Sequence, residues 1–214
     1  MASSTTATAA STATPPPAAG PTRRTESQAR TRQLVLEAAE RLFLANGFGA
    51  TSLEDIAREA GFSKGAVYSN FAGKTDLFFA IVEAQFVDLS AQLRTAVTAE
   101  ADPLAQLAAV GTWYEQFLRV EAGWSRSLPE LAAIAAQDDE ARRRFTALIH
   151  SIEAAITDLL EDQQRALGVR FGLPPASVAA LVVSLVVGLT VRSLHDLDSP
   201  PELFSLALAR FLAP

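Results

Sequence analysis

The 214 residues include no cysteine and two histidines, which excludes disulfide frameworks, thiolate zinc sites and thiol catalysis. With 49% hydrophobic and 20% charged residues the chain can bury a sizeable core, so general disorder is excluded. The formal charge of −6 is unevenly placed: residues 22–76 hold 8 Lys/Arg against 7 Asp/Glu, and residues 77–214 hold 10 against 17. A near-neutral N-terminal part therefore precedes an acidic remainder, and a phosphate-binding surface in the first part is compatible with the whole-chain sum.

Beyond Met1, residues 1–22 are Ala, Ser, Thr, Pro and Gly, a composition that buries too little apolar surface to offset ordering and predicts a disordered tail. It lacks the basic start and unbroken apolar core of a signal peptide. Arg23, Arg24, Arg30 and Arg32 follow, serving either as an arm for DNA phosphates or as a solvated helix start. A first helix is expected from Thr25, with Gln28 completing a capping box, through the stripe Leu34, Val35, Ala38, Leu42 and Phe43 to a stop at Asn46-Gly47.

The next stretch, Thr51 to Lys74, reads as two short helices around a tight turn. Leu53, Ile56, Ala57 and Ala60 share one helical face, Thr51 and Glu54 have capping-box spacing, and Gly61 ends the helix. Ser63 then caps a second helix after a three-residue turn, the form of a helix-turn-helix. On that helix Ala66, Val67 and Phe71 suit packing, and Gly65 and the free N–H groups of the N-terminus admit a close phosphate. Lys64, Tyr68 and Lys74, with the hydroxyls of Thr51, Ser52 and Ser63, are the candidate phosphate contacts. Base reading falls to Lys64, Ala66 and Ser69, with Asn70 beside them. The alternative is a purely structural helix pair.

From Thr75 to about Ala99 an amphipathic run of Leu77, Phe78, Ile81, Val82, Phe86, Leu89 and Leu93 predicts a long helix suited to connect two units. A helix over about 103–121 follows, then a break at Gly123, a short helix after Pro129, and a long one from Asp138 or Asp139 to about Leu167. Asp138-Asp139-Glu140 with Arg142-Arg143-Arg144 is read as a charged start and solvated face. Gly172-Leu173-Pro174-Pro175 is a firm stop. Residues 176–194 are apolar all round, but the uninterrupted run from Val178 to Val191 is short of the roughly 20 residues of a membrane span. A last helix follows Pro200-Pro201. Val183, Val187 and Val191 with Leu203, Phe204 and Leu208 are the candidate dimer contacts, since both final helices exceed what one core face needs; a large monomeric core is the alternative. No stretch alternates as a strand does. The expected fold is all-α, with residues 23–74 as a three-helix DNA-binding domain and 75–214 as a larger helical domain for effector binding and dimerisation, entered by the connecting helix 75–99.

Trp113, Tyr114, Phe117, Trp124 and Phe145 are candidates to line an effector cavity, with Gln116, Gln137 or His150 as polar anchors; plain core is the competing role. No metal site and no cofactor are expected: the two histidines are far apart, and there is no glycine-rich phosphate loop or H-E-x-x-H from which to assemble an enzyme.

From Arg32 to Phe79 the sequence closely resembles the DNA-binding domain of TetR-family transcriptional regulators. The residues that carry this are Leu36-x-x-Ala39-x-x-Leu42-Phe43, Gly47-Phe48-x-x-Thr51-Ser52, and Asp55-Ile56-Ala57-x-x-Ala60-Gly61-Phe62-Ser63-x-Gly65-x-Val67-Tyr68-x-x-Phe71-x-x-Lys74-x-x-Leu77-Phe78. Asn70 stands where many members have histidine. Pro129-Glu130-Leu131 followed by Asp138 resembles a recurring feature of the family's second half. The resemblance implies a cytoplasmic homodimer on a pseudo-palindromic double-stranded operator, with recognition helices about 34–36 Å apart. It also implies a small molecule binding among helices 4–7, shifting helix 4 and releasing DNA. A repressor is the expected role. The alternatives are an activator-type regulator without a small-molecule inducer and an all-α dimeric interaction protein.

Overall fold

The computed structural model describes residues 23–100, 102–120, 126–168, 170–195, 197 and 202–213. The tail 1–22, Gly123 and Trp124 lie outside them, as do the side chains of Arg23 and Arg24. Among the described residues the protein is all helical: α1 (Arg23–Ala50), α2 (Leu53–Ala60), α3 (Lys64–Tyr68), α4 (Lys74–Thr98), α5 (Pro103–Val120), α6 (Ser127–Ala135), α7 (Asp139–Leu167), α8 (Pro175–Leu194) and α9 (Leu203–Leu212).

The head forms because three short stripes meet. Val35, Ala39 and Phe43 of α1 close over Leu53, Ile56 and Ala57 of α2 and Val67 of α3, all buried. The cluster continues without a break through Leu77, Phe78 and Ile81 of α4 to Leu131 of α6, Leu148 and Ile152 of α7 and Val183 of α8. Phe78 is the hub, with ring centroids 5.1 Å from Phe43 and 5.0 Å from Phe48. Burial of rings this large accounts for much of the head's hold on the body.

Several boundaries differ from those read in the sequence, each for a local reason. Helix α1 starts two residues before Thr25 and is kinked by Gly47, whose φ of 79° and ψ of 165° are open to glycine at low cost. The cap of α2 is shifted by one residue. Ser52 accepts the Asp55 N–H (3.1 Å) while the Asp55 carboxylate accepts the Ser52 N–H, a capping box that replaces the Thr51–Glu54 pair. Gly61 does end α2 in the left-handed conformation, and Ser63 does cap α3. Helix α6 begins at Ser127, so Pro129 lies in its first turn, where a missing N–H costs nothing. Asp138 caps α7 through the Ala141 N–H at 2.7 Å.

Arg144 corrects the reading of the α7 start as uniformly solvated. Arg142 and Arg143 pair with Asp139 and Glu140 at the surface, but Arg144 turns inward. It binds Asp76 (2.6 Å) and Glu83 (2.7 Å) of α4, and its guanidinium lies 4.9 Å above the Phe79 ring. A second tie, Arg94 to Asp162 at 2.8 Å, joins the other ends of α4 and α7. At the far side α5 meets α9 so closely at Gly111 that a β-carbon there would strike Ser205.

Helix α8 has 20 residues and by length and composition alone is able to cross a membrane. In the fold Val178, Ala179, Val183, Leu189 and Thr190 bury one side of it against protein. The buried side includes Val183, while Phe204 and Leu208 of α9 pack under Tyr114. These three expected dimer contacts therefore belong to the subunit's own core. Val187 is half-buried beside a small internal void, Leu203 is half-buried, and Val191 is exposed. The outward apolar side chains are Leu181, Val191 and Leu194 on α8 and Leu206 on α9.

Candidate nucleic-acid interface

Helix α3 has only five residues, yet it is well anchored. Val67 is fully buried, Phe71 just beyond it packs into the head, and Ser63 Oγ accepts the Ala66 N–H. Everything else on it faces outward: Ser63, Lys64, Gly65, Tyr68 and Ser69 are exposed, and Ala66 and Asn70 are half-exposed. Tyr68 keeps 51% of its surface open to solvent, an unusual position for an aromatic ring on a short helix of a packed head. The Lys64 ammonium stands 5.8 Å from the Tyr68 ring centroid.

Charge on this face is balanced in a specific way. Lys64 pairs with Glu54 of α2, and that hydrogen bond pulls the Lys64 pKa up and the Glu54 pKa down. Ser52 donates its hydroxyl to Asp55 at 2.6 Å; this bond leads the effects holding the Asp55 carboxyl below the usual aspartate range, with Arg58 next. Arg32 lies over the Phe71 ring at 4.7 Å, which sets a second cation beside α3.

Of the expected contacts, Ser63, Lys64, Gly65, Tyr68 and Ser69 are exposed, and Ser52 and Ala66 are half-exposed. Three expected contacts are placed differently. Thr51 is 3% exposed, and its hydroxyl donates to Gly47 O at 2.9 Å with Leu42 O at 3.3 Å, so it locks the turn after α1 and has no surface to offer. Lys74 donates to Phe48 O (2.8 Å) and Thr51 O (2.9 Å) and sits 4.2 Å above the Phe48 ring. Two of its three ammonium donors are thereby spent on carbonyls at this turn. Asn70 spends its amide N–H groups on Ala66 O (2.8 Å) and Ser69 Oγ (3.2 Å), so base reading there would first have to break those bonds.

Behind the head, the start of α6 reaches the α1 kink. Glu130 accepts the Phe48 N–H at 3.4 Å, its other oxygen lies 3.3 Å from where a Gly47 β-carbon would stand, and Arg126 donates to Leu44 O at 3.5 Å. Glu130 drew notice in the sequence only as part of a family feature; its contact at Gly47 depends on a fold of 82 intervening residues.

The body contains a cavity of about 450 Å³ between the far ends of α4 and α7, the first half of α5, the start of α8 and the end of α9. The aromatic residues proposed for such a cavity are elsewhere. Trp113 and Phe117 stack at 6.0 Å and border a void of about 50 Å³. Tyr114 is core, stacked on Phe204 at 4.1 Å, and burial pushes its hydroxyl up to about 12 against a smaller downward pull from Thr190. Phe145 packs on the central cluster, His150 is exposed, as are Gln116 and Gln137, and Trp124 lies outside the described residues. The large cavity is lined instead by aliphatic side chains and the Phe171 ring, with Gln106, Gln163 and Arg170, residues that no local pattern distinguishes.

Comparison with known proteins agrees with this geometry. Residues 35–81 match the family described as bacterial regulatory proteins, tetR family. The HTH-type transcriptional regulator SrpR of Pseudomonas putida is 29% identical over 202 residues, covering 89% of this chain and 88% of that protein. The HTH-type transcriptional repressor BepR of Brucella suis is 38% identical over 84 residues, which is 38% of this chain and 40% of that one. Among solved structures, the transcriptional regulator FadR of Bacillus subtilis in complex with stearoyl-CoA superposes with a TM-score of 0.64 at 16% identity, over 85% of this chain and 97% of that one, and so shares the fold. With that fold, and with the matched segment running from α1 through the exposed α3 into α4, the chain carries the helix-turn-helix domain of the TetR family of transcriptional regulators.

Proposed function

We propose that this regulator is a cytoplasmic homodimeric repressor that holds a pseudo-palindromic operator and leaves it when a small molecule binds the body. The exposed face of α3 carries the reading: Lys64, Tyr68 and Ser69 project from a helix whose opposite side is fully buried. Residues 23–74 are the DNA-binding unit and 75–214 the effector and dimer unit, with α4 as their connection. Lys64, Tyr68, Ser52 and Ser63 hold phosphates, and Ala66 and Ser69, with Lys64, meet base edges. Two copies join through the outer sides of α8 and α9, where Leu181, Val191, Leu194 and Leu206 leave apolar surface with no cover in the subunit. FadR of Bacillus subtilis, bound to stearoyl-CoA, supports ligand control in this fold, and the name of BepR supports repression.

The experiment is selection of bound duplexes from random and genomic DNA at low salt, followed by retention as salt is raised. Enrichment of a two-fold symmetric sequence, with binding that weakens steeply in salt, is the expected result. Failure to enrich any sequence overturns the regulator reading, and an enriched single half-site overturns the dimeric one.

A further inference from the structure

We infer that the 450 Å³ cavity admits neutral or anionic amphiphiles and turns away cationic ones. Its walls are apolar: Leu93, Val97, Ile156, Leu159, Val182 and Leu212 come from four helices, the Phe171 ring joins them, and none of these side chains presents a polar atom. The volume falls within the range that encloses small organic ligands. Two amides interrupt this surface. Gln106, 9% exposed, has one amide N–H donated to Glu100 O at 2.8 Å. Gln163, equally buried, makes no side-chain hydrogen bond among the described residues and lines the cavity. The Gln163 amide lines the cavity without a partner among the described residues, so a ligand head that accepts or donates there gains a hydrogen bond.

The charge at the wall decides the class of ligand. Arg170, solvent-exposed, is the charged side chain among the described lining residues, and no carboxylate is among them. A cation entering would lose its water with no counter-charge to replace it, whereas an anionic head gains Arg170 and a neutral one needs only the amides.

This inference rests on the ligand-responsive reading and supplies its site. The test uses the full chain with 1-anilinonaphthalene-8-sulfonate as the reporter, displaced by octanoate, 1-octanol or octyltrimethylammonium below their micellar range. Octanoate and 1-octanol are expected to displace the reporter, and the quaternary ammonium to need at least about tenfold more. Equal displacement by all three, or displacement led by the cation, overturns the inference. Gln163→Leu should weaken octanoate by at least about fivefold while leaving thermal unfolding nearly unchanged. Filling the space with Ala209→Phe should abolish specific displacement, and displacement unaltered in that variant also overturns it. Displacement as expected, with operator retention indifferent to octanoate, keeps the cavity assignment and overturns the ligand-released repressor instead.

Discussion

At the scale of single residues, the head separates side chains that hold it together from side chains that are left for DNA. Lys74 and Tyr68 were alike in sequence as phosphate partners, but Lys74 is committed to two carbonyls and a ring. Lys74→Ala should therefore cost about 2 kcal/mol in urea unfolding, the loss of charge-assisted bonds at a partly buried site, with DNA binding lost only through the unfolded fraction. Tyr68→Ala should leave unfolding unchanged and weaken all duplexes alike, as a backbone contact does. Glu54 provides the opposite test. Its carboxylate neutralises Lys64 beside the DNA face, so Glu54→Gln should tighten binding about threefold near 0.1 M salt and steepen the salt dependence, read by fluorescence anisotropy. Unchanged affinity would mean that Lys64 does not face phosphate.

At the scale of elements, α7 links the two ends of the body. Leu159 on the cavity wall is 15 residues from Arg144, roughly 22 Å along one helix at 1.5 Å per residue. Arg144→Ala should remove its ion pairs with Asp76 and Glu83 of α4 and lower stability by about 2 kcal/mol in urea. The same ties carry a pH signature. Partial burial alone would raise the Asp76 pKa, but the Ala72 N–H at 2.9 Å and the Arg144 guanidinium outweigh it and hold the carboxyl below its ordinary 3.8. A depressed carboxyl stabilises the fold above its ordinary value, and the benefit is lost as pH falls through the lower folded value. The stability gap between wild type and Asp76→Asn should therefore be level from neutral pH to about pH 5 and close below pH 4 in pH-dependent urea unfolding. A gap that closes between pH 5 and 7 would assign the effect to another group.

What could be read from sequence follows the same division of scale. Helix existence, the Gly61 stop, the Ser63 cap and most of the buried stripes of α1 and α2 are local, and local rules located them, although Leu34, expected in the α1 stripe, is exposed. Arg144 was within reach too: it sits four residues before Leu148 and eight before Ile152, on the apolar stripe, where a solvated arginine does not belong. The cap at Ser52 was not separable from one at Thr51, because both spacings offer an acid three residues on. The cavity was beyond local reading altogether, since Gln106, Gln163 and Arg170 meet only when five helices are assembled. Aromatic residues drew attention as pocket formers, but their size is what fits them to fill the core.

At the scale of the whole molecule, the division between inward and outward faces of α8 and α9 decides how two subunits meet. Val183 is core, so its replacement by Asp would unfold the protein and say nothing about assembly. Leu181→Glu with Leu206→Glu, both on exposed side chains, should leave the far-ultraviolet spectrum intact and yield monomers by light scattering, with operator affinity falling at least about a hundredfold as half-sites uncouple. A stable dimer in that variant would move the contact to another face.

The kink at Gly47 bears on how relatives of this chain can be recombined. Head and body meet there across a backbone N–H and one carboxylate contributed from a distant part of the chain, at a position where any larger residue would crowd that acid. A chimaera that grafts a foreign reading head at the start of α4 would leave Glu130 facing a loop it did not evolve with. Grafts should keep their regulation only when the incoming head retains a glycine at this joint and the receiving body retains the acid.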